Sequence, residues 1–173
     1  MVLHAFVDES DRRDYVVCAV VVGSDGRDEI RQVLRGLRRP GAHRLHMAKE
    51  SAAHRKRILG DLCALPISAT LYVSRYSVDR DGRAEIMRRM VAGLGVEGLV
   101  IESGVGQDER DRAVLYEAVR AAGLDGRFSY RHLAPRAEPL LWLPDAIAWA
   151  WGAGKDWRRR VEPLVAAVVV VEP

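Results

Sequence analysis

The chain has 173 residues, 49% of them hydrophobic and 29% charged, with a formal net charge of +3. That length suits one domain over residues 1–173 that buries about two-thirds of its unfolded surface, and the composition excludes a disordered chain. Two cysteines make no disulfide framework, no apolar run approaches the ~20 residues of a membrane span, and the start Met-Val-Leu-His-Ala-Phe-Val-Asp-Glu-Ser turns acidic too soon for a secretory leader. The expected setting is the cytoplasm, with Cys18 and Cys63 as small buried hydrophobes.

In chain order, Val2–Asp8 alternates as a strand, with Leu3, Ala5 and Val7 on one face and Phe6 and Asp8 on the other. A polar turn over Ser10–Asp14 leads to a valine-rich central strand, Tyr15–Gly23, and so short a link implies an antiparallel hairpin. Ile30, Val33, Leu34 and Leu37 make Arg27–Arg38 a helix that Pro40-Gly41 stops. Further helices are predicted over Glu50–Ala64, Arg83–Leu94 and Glu109–Ala122, and strands over Ile67–Val78, Gly98–Ser103 and Phe128–Leu133. Leu143–Gly152 is a helix with Pro144 near its start, and Val165–Val171 is a last strand or a buried helix end. The order β-β-α-α-β-α-β-α-β-α with a tail points to a mixed sheet flanked by helices, the first strand between the second and the fourth.

Basic residues cluster at Arg38-Arg39, His54-Arg55-Lys56-Arg57, Arg88-Arg89 and Arg158-Arg159-Arg160. Such clusters attract phosphates, although solvated helix faces look the same. The helices at Arg55–Arg57 and Arg158–Arg160 are the expected polyanion contacts.

Acids stand where ligands gather in an α/β sheet, at the C-terminal ends of strands. Asp8 and Glu9 end the first strand, Glu102 ends the fourth after Leu99-Val100-Ile101, and Asp145 opens the helix of Leu-Trp-Leu-Pro-Asp-Ala-Ile-Ala-Trp-Ala. Carboxylates converging there would repel unless a hard cation such as Mg²⁺ or Mn²⁺ lay between them, and such a cation serves phosphodiester hydrolysis. Taken singly, each acid reads as an ordinary solvated residue. Asp145 is the exception, because Trp142 and Trp149 at i−3 and i+4 flank it and leave it in need of a metal, an arginine or an indole N–H. His4, His43, His54 and His132 lack partners at zinc-ligand spacing, and there is no Walker loop, Gly-x-Gly-x-x-Gly or nucleophile elbow.

Phe-Val-Asp-Glu-Ser at 6–10, Leu-His-Met-Ala-Lys-Glu-Ser at 45–51 and Leu-Trp-Leu-Pro-Asp-Ala-Ile-Ala at 141–148 resemble domain-of-unknown-function family 3800. The resemblance runs nearly the whole chain and implies an RNase H-like fold and a metal-dependent nuclease. On it, Asp8, Glu102 and Asp145 are the expected ligands of Mg²⁺ or Mn²⁺, His46 is an active-site residue, and nucleic acid is the partner. Lys49, three residues after His46, could neutralise a phosphate oxygen. The family has glycine after Asp-Glu-Ser where Asp11 stands here, and Glu85 is a poor match for the helical acid of RNase H-like enzymes. Glu9, Glu50 and Asp111 are the candidates for a further ligand. The rival expectation is a catalytically silent RNase H-like module for nucleic acid or protein, with a second copy of the chain or a genomically linked protein as partner and no membrane.

Overall fold

A computed structural model describes residues 1–173 throughout. The chain runs β1 (Leu3–Ser10), β2 (Val16–Gly23), α1 (Arg27–Leu37), α2 (Ala52–Leu62), β3 (Ser68–Ser74), α3 (Asp79–Gly93), β4 (Gly98–Glu102), α4 (Asp108–Ala121), β5 (Ser129–Leu133), α5 (Trp142–Ala153), α6 (Lys155–Val161) and β6 (Val165–Val171). All six strands join one sheet in the order β5-β4-β1-β2-β3-β6. β1 pairs antiparallel with β2, with Leu3 opposite Gly23 and Ser10 opposite Val16, and β2 pairs antiparallel with β3. The β1–β4, β4–β5 and β3–β6 pairs are parallel, each joined through helices. The expected hairpin and the expected neighbourhood of the first and fourth strands both hold.

Pleating divides the side chains between two cores. Phe6, Cys18, Val20 and Val100 face α1, α2 and α5 in a cluster of 27 buried residues. Ala5, Val7, Ala19, Leu99 and Ile101 face α3 and α4 in a second cluster of 16. A strand buried on both faces reads as a near-continuous apolar run, which is why β2 shows no alternation. The larger cluster includes Trp142, Leu143, Ala146, Ile147 and Ala150 of α5, so this apolar helix packs directly across β1 and β2.

Several boundaries differ from the sequence reading. α2 begins at Ala52, because Ser51 caps it by accepting from the His54 N–H, and this leaves Glu50 outside, buried against Arg39 at 2.9 Å. The third strand stops at Ser74, and α3 starts at Asp79, since the acidic Asp79 and Asp81 suit a helix N-terminus. The tail is a strand at the sheet edge, with Val168 and Val170 exposed. An unforeseen α6 follows α5 because Gly154, at φ 71° and ψ −170°, takes an extended positive-φ conformation, open to glycine, that ends one helix and admits another. Cys18 is buried, but Cys63 is exposed at the end of α2, where its thiol donates to the Arg160 carbonyl.

Candidate active site

The register of β1 and β4 sets the site. Val7 pairs with Ile101, so one step further Asp8 and Glu102 leave neighbouring parallel strands on the same face. α5 crosses that face and brings Asp145 over the strand ends. Asp8 lies close enough to Glu102 and Asp145 for both to act electrostatically on it. Burial first, then the neighbouring charges of Glu102 and Asp145, push Asp8 up to about 9, against one opposing bond from the Glu9 N–H at 2.7 Å. Burial also raises Asp145, although the Met47 N–H donates to its Oδ2 at 3.1 Å and Arg44 and His46 offset part of the cost. The partner that Asp145 needed is therefore a backbone amide, and Trp142 turns away to donate its indole N–H to the Pro135 carbonyl at 2.7 Å.

The loop ahead of α2 closes over these acids. Arg44 Nη1 lies 3.3 Å from Glu102 Oε1 and Arg44 Nη2 lies 3.9 Å from Asp145 Oδ1. His46 Nδ1 is also 3.9 Å from Asp145 Oδ1. Arg44 Nη2, His46 Nδ1 and Glu102 Oε2 are buried atoms without a hydrogen-bond partner in the chain. That concentration of unmet bonding capacity is costly to a fold. The donor chemistry, carboxylates with a free buried oxygen, fits a hard divalent cation. As the side chains stand, no three of His, Cys, Asp or Glu form a metal-holding group, and Arg44 supplies the positive charge between Glu102 and Asp145.

Other expected site residues lie elsewhere. Glu9 points to the opposite face from Asp8, as alternation requires, and Arg83 Nη1 grips it at 2.6 Å while the Tyr15 hydroxyl also donates to it. Asp111 is held by Arg83 at 2.9 Å through two bonds and by His132 at 2.9 Å. Burial would push Asp111 up, but these bonds and the Arg83 charge hold it below the usual carboxylate range. Glu50 is committed to Arg39, with His54 3.8 Å away. Lys49 is exposed and touches none of the acids, and Glu85 pairs with Arg88 and Arg89 on the surface of α3.

The sequence reading missed Arg44 and the Arg83–Asp111–His132 network. Nothing marks Arg44 in the sequence, since a loop arginine carries no pattern. Arg83 was legible: it shares the apolar face of α3 with Ile86, Met87 and Met90, as Asp111 shares that of α4 with Leu115 and Ala118. One charge on each of two facing apolar stripes implies a buried pair. A cavity of about 720 Å³ opens beside this network, lined by Glu9, Tyr15, Arg83 and Asp111 among others, and a smaller one of about 100 Å³ reaches Asp8 and Glu102. Of the acids lining the larger one, Glu9 and Asp111 are paired with Arg83, whereas Asp8 in the smaller one has no basic partner.

No protein-family model matches the chain, and no curated protein matches it in sequence. Among solved structures it is similar to an RNase HII in complex with PCNA from Archaeoglobus fulgidus, with a TM-score of 0.60 and 19% identity over 94% of this chain and 76% of that one. At that identity the likeness speaks for the fold. Together with the mixed sheet, its parallel β1–β4–β5 half and its flanking helices, it establishes an RNase H-like α/β fold.

Proposed function

We propose that this protein is a metal-dependent nuclease that hydrolyses phosphodiester bonds at Asp8, Glu102 and Asp145. The observation that carries the reading is the meeting of three carboxylates from three separate elements, with Glu102 Oε2 buried and unpartnered. The RNase H-like fold supports it, and the motifs around Asp8, His46 and Asp145 support membership of the domain-of-unknown-function 3800 family. Asp8, Glu102 and Asp145 would hold Mg²⁺ or Mn²⁺, which when bound activates water and stabilises the leaving oxygen. His46, part-exposed beside Asp145, would give or take the proton at its Nδ1. Arg44, between Glu102 and Asp145, and Lys49, on the outer turn, offer positive charge to phosphate oxygens. The substrate is nucleic acid. No helix is long and apolar enough to cross a membrane.

A catalytically silent nucleic-acid-binding or protein-binding module is the second reading, favoured by Arg44 lying between Glu102 and Asp145. Incubation of labelled single strands and duplexes with Mn²⁺ or with EDTA tests both. Mn²⁺-dependent cleavage that Asp8→Asn and Asp145→Asn abolish is expected. Binding without cleavage would select the silent module.

A further inference from the structure

Asp145 is followed one helical turn later by Trp149, and the basic residues around that indole are unusually free of acids. The Arg12 guanidinium lies 5.0 Å and that of Arg55 4.2 Å from the Trp149 ring centre. Trp157 meets Trp149 edge-on at 5.4 Å. Arg13 Nη1 lies against Gly154, so the β1–β2 loop rests on the end of α5. Arg12 and Arg13 make no ion pair or hydrogen bond through their side chains, and Arg55 bonds only the Met47 and Ala48 carbonyls, at 2.8 and 3.0 Å. The Arg158–Arg160 cluster is less available than its sequence suggests, because Arg159 and Arg160 share Asp156.

A guanidinium held against an indole keeps its charge and its outward N–H groups, whereas one held by a carboxylate has spent both. These cations are therefore fixed in place for an anion outside the chain. They also adjoin the acids: Arg55 bonds the carbonyl of Met47, whose N–H bonds Asp145. The large cavity on the opposite face carries five carboxylates against three arginines, so a polyanion is repelled there and drawn to the α5 side.

We propose that Arg12, Arg13, Arg55 and Trp149 form a track for single-stranded nucleic acid leading to the carboxylates. The proposal rests on the nuclease reading only for its class of ligand. Guanidinium edges take consecutive phosphates, and the stacked planes take unpaired bases, a surface that a duplex with its bases stacked inside cannot use.

The test is fluorescence anisotropy in EDTA, where no cleavage intervenes, with an oligothymidylate and a mixed-sequence duplex of about 20 nucleotides, lengths that exceed single-strand site sizes. Wild type is expected to favour the single strand. Arg12→Ala with Arg13→Ala, exposed positions whose loss leaves melting unchanged, is expected to weaken single-strand binding about tenfold and flatten its salt slope by about 1.4, the amount for two phosphate contacts. Arg12→Lys keeps the charge and loses the plane, so affinity falls while the salt slope stays. Unchanged binding in the double variant, or tighter binding of the duplex by wild type, overturns the track and leaves the nuclease reading standing. Weakened binding with no Mn²⁺-dependent cleavage by wild type sustains the track and removes the nuclease. Absence of any binding at low salt overturns both.

Discussion

Asp8 and Glu9 are adjacent in sequence and chemically alike, yet the pleat sends them into opposite environments. Glu9 enters a network in which Arg83, Tyr15, Asp111 and His132 satisfy one another, with only His132 Nδ1 left over. Asp8 enters a group in which acids face acids, and Arg44, His46 and Glu102 each keep a buried atom without a partner. The first arrangement ties α3 and α4 to the sheet. The second is held at a cost to stability, as ligand sites commonly are. The contrast teaches that buried charge can be almost fully paired, as around Asp111, or left with several unmet bonding atoms, as around Asp8.

The largest expected effect breaks the satisfied side. Arg83→Met leaves Asp111 buried without its cation and should cost about 3–5 kcal/mol in chemical denaturation, since one member of a buried pair is removed. A loss below about 1 kcal/mol, the scale of a surface pair, would make the two sides equivalent. The acid limb moves with it: the depressed Asp111 lends stability above its unfolded value near 3.9, lost as pH falls through the folded value, and that limb should vanish in Arg83→Met.

Asp8→Asn has the opposite sign. A carboxyl raised to about 9 in the fold and near 4 when unfolded contributes fully at acid pH and loses that contribution as pH rises through this window. In metal-free protein the substitution should therefore stabilise by roughly 1–3 kcal/mol at pH 8, less than the full shift implies because Asn is itself imperfectly bonded there, and should flatten the stability profile between those limits. Destabilisation at pH 8 would mean that the carboxylates support the fold. Arg44→Gln should cost about 1–2 kcal/mol at pH 8 and less at pH 4, because the Asp145 carboxyl, raised by burial, takes up a proton as pH falls and no longer calls on the Arg44 charge. Equal losses at both pH values would make Arg44 a packing residue. Smallest of all, Cys63→Ser, at an exposed helix end, should stay within about 0.5 kcal/mol by thermal melting.

How much of this was legible follows from which signals are periodic. The two-faced sheet could be read because valine runs and helical spacing record burial on each side. The meeting of Asp8 and Glu102 could be expected because strand order and parity decide it, and both follow from apolar patterning. The fate of Glu9 was half legible: alternation sends it away from Asp8, but its partner Arg83 required α3 to be read as carrying a charge on its apolar face. Arg44 was not legible, because a loop residue is positioned by tertiary packing and not by any repeat. Arg12 and Arg13 looked like ordinary turn residues until the end of α5 was found beneath them.

The central claim is that Asp8, Glu102 and Asp145 form one divalent-cation site. It is tested most directly by melting wild type, Asp8→Asn and Asp145→Asn with and without Mn²⁺. In wild type the ion should raise the melting temperature, by the equivalent of roughly 2.7 kcal/mol at a hundredfold excess over the dissociation constant. In both variants that rise should be absent. The same rise in all three proteins, or none in wild type, would contradict it.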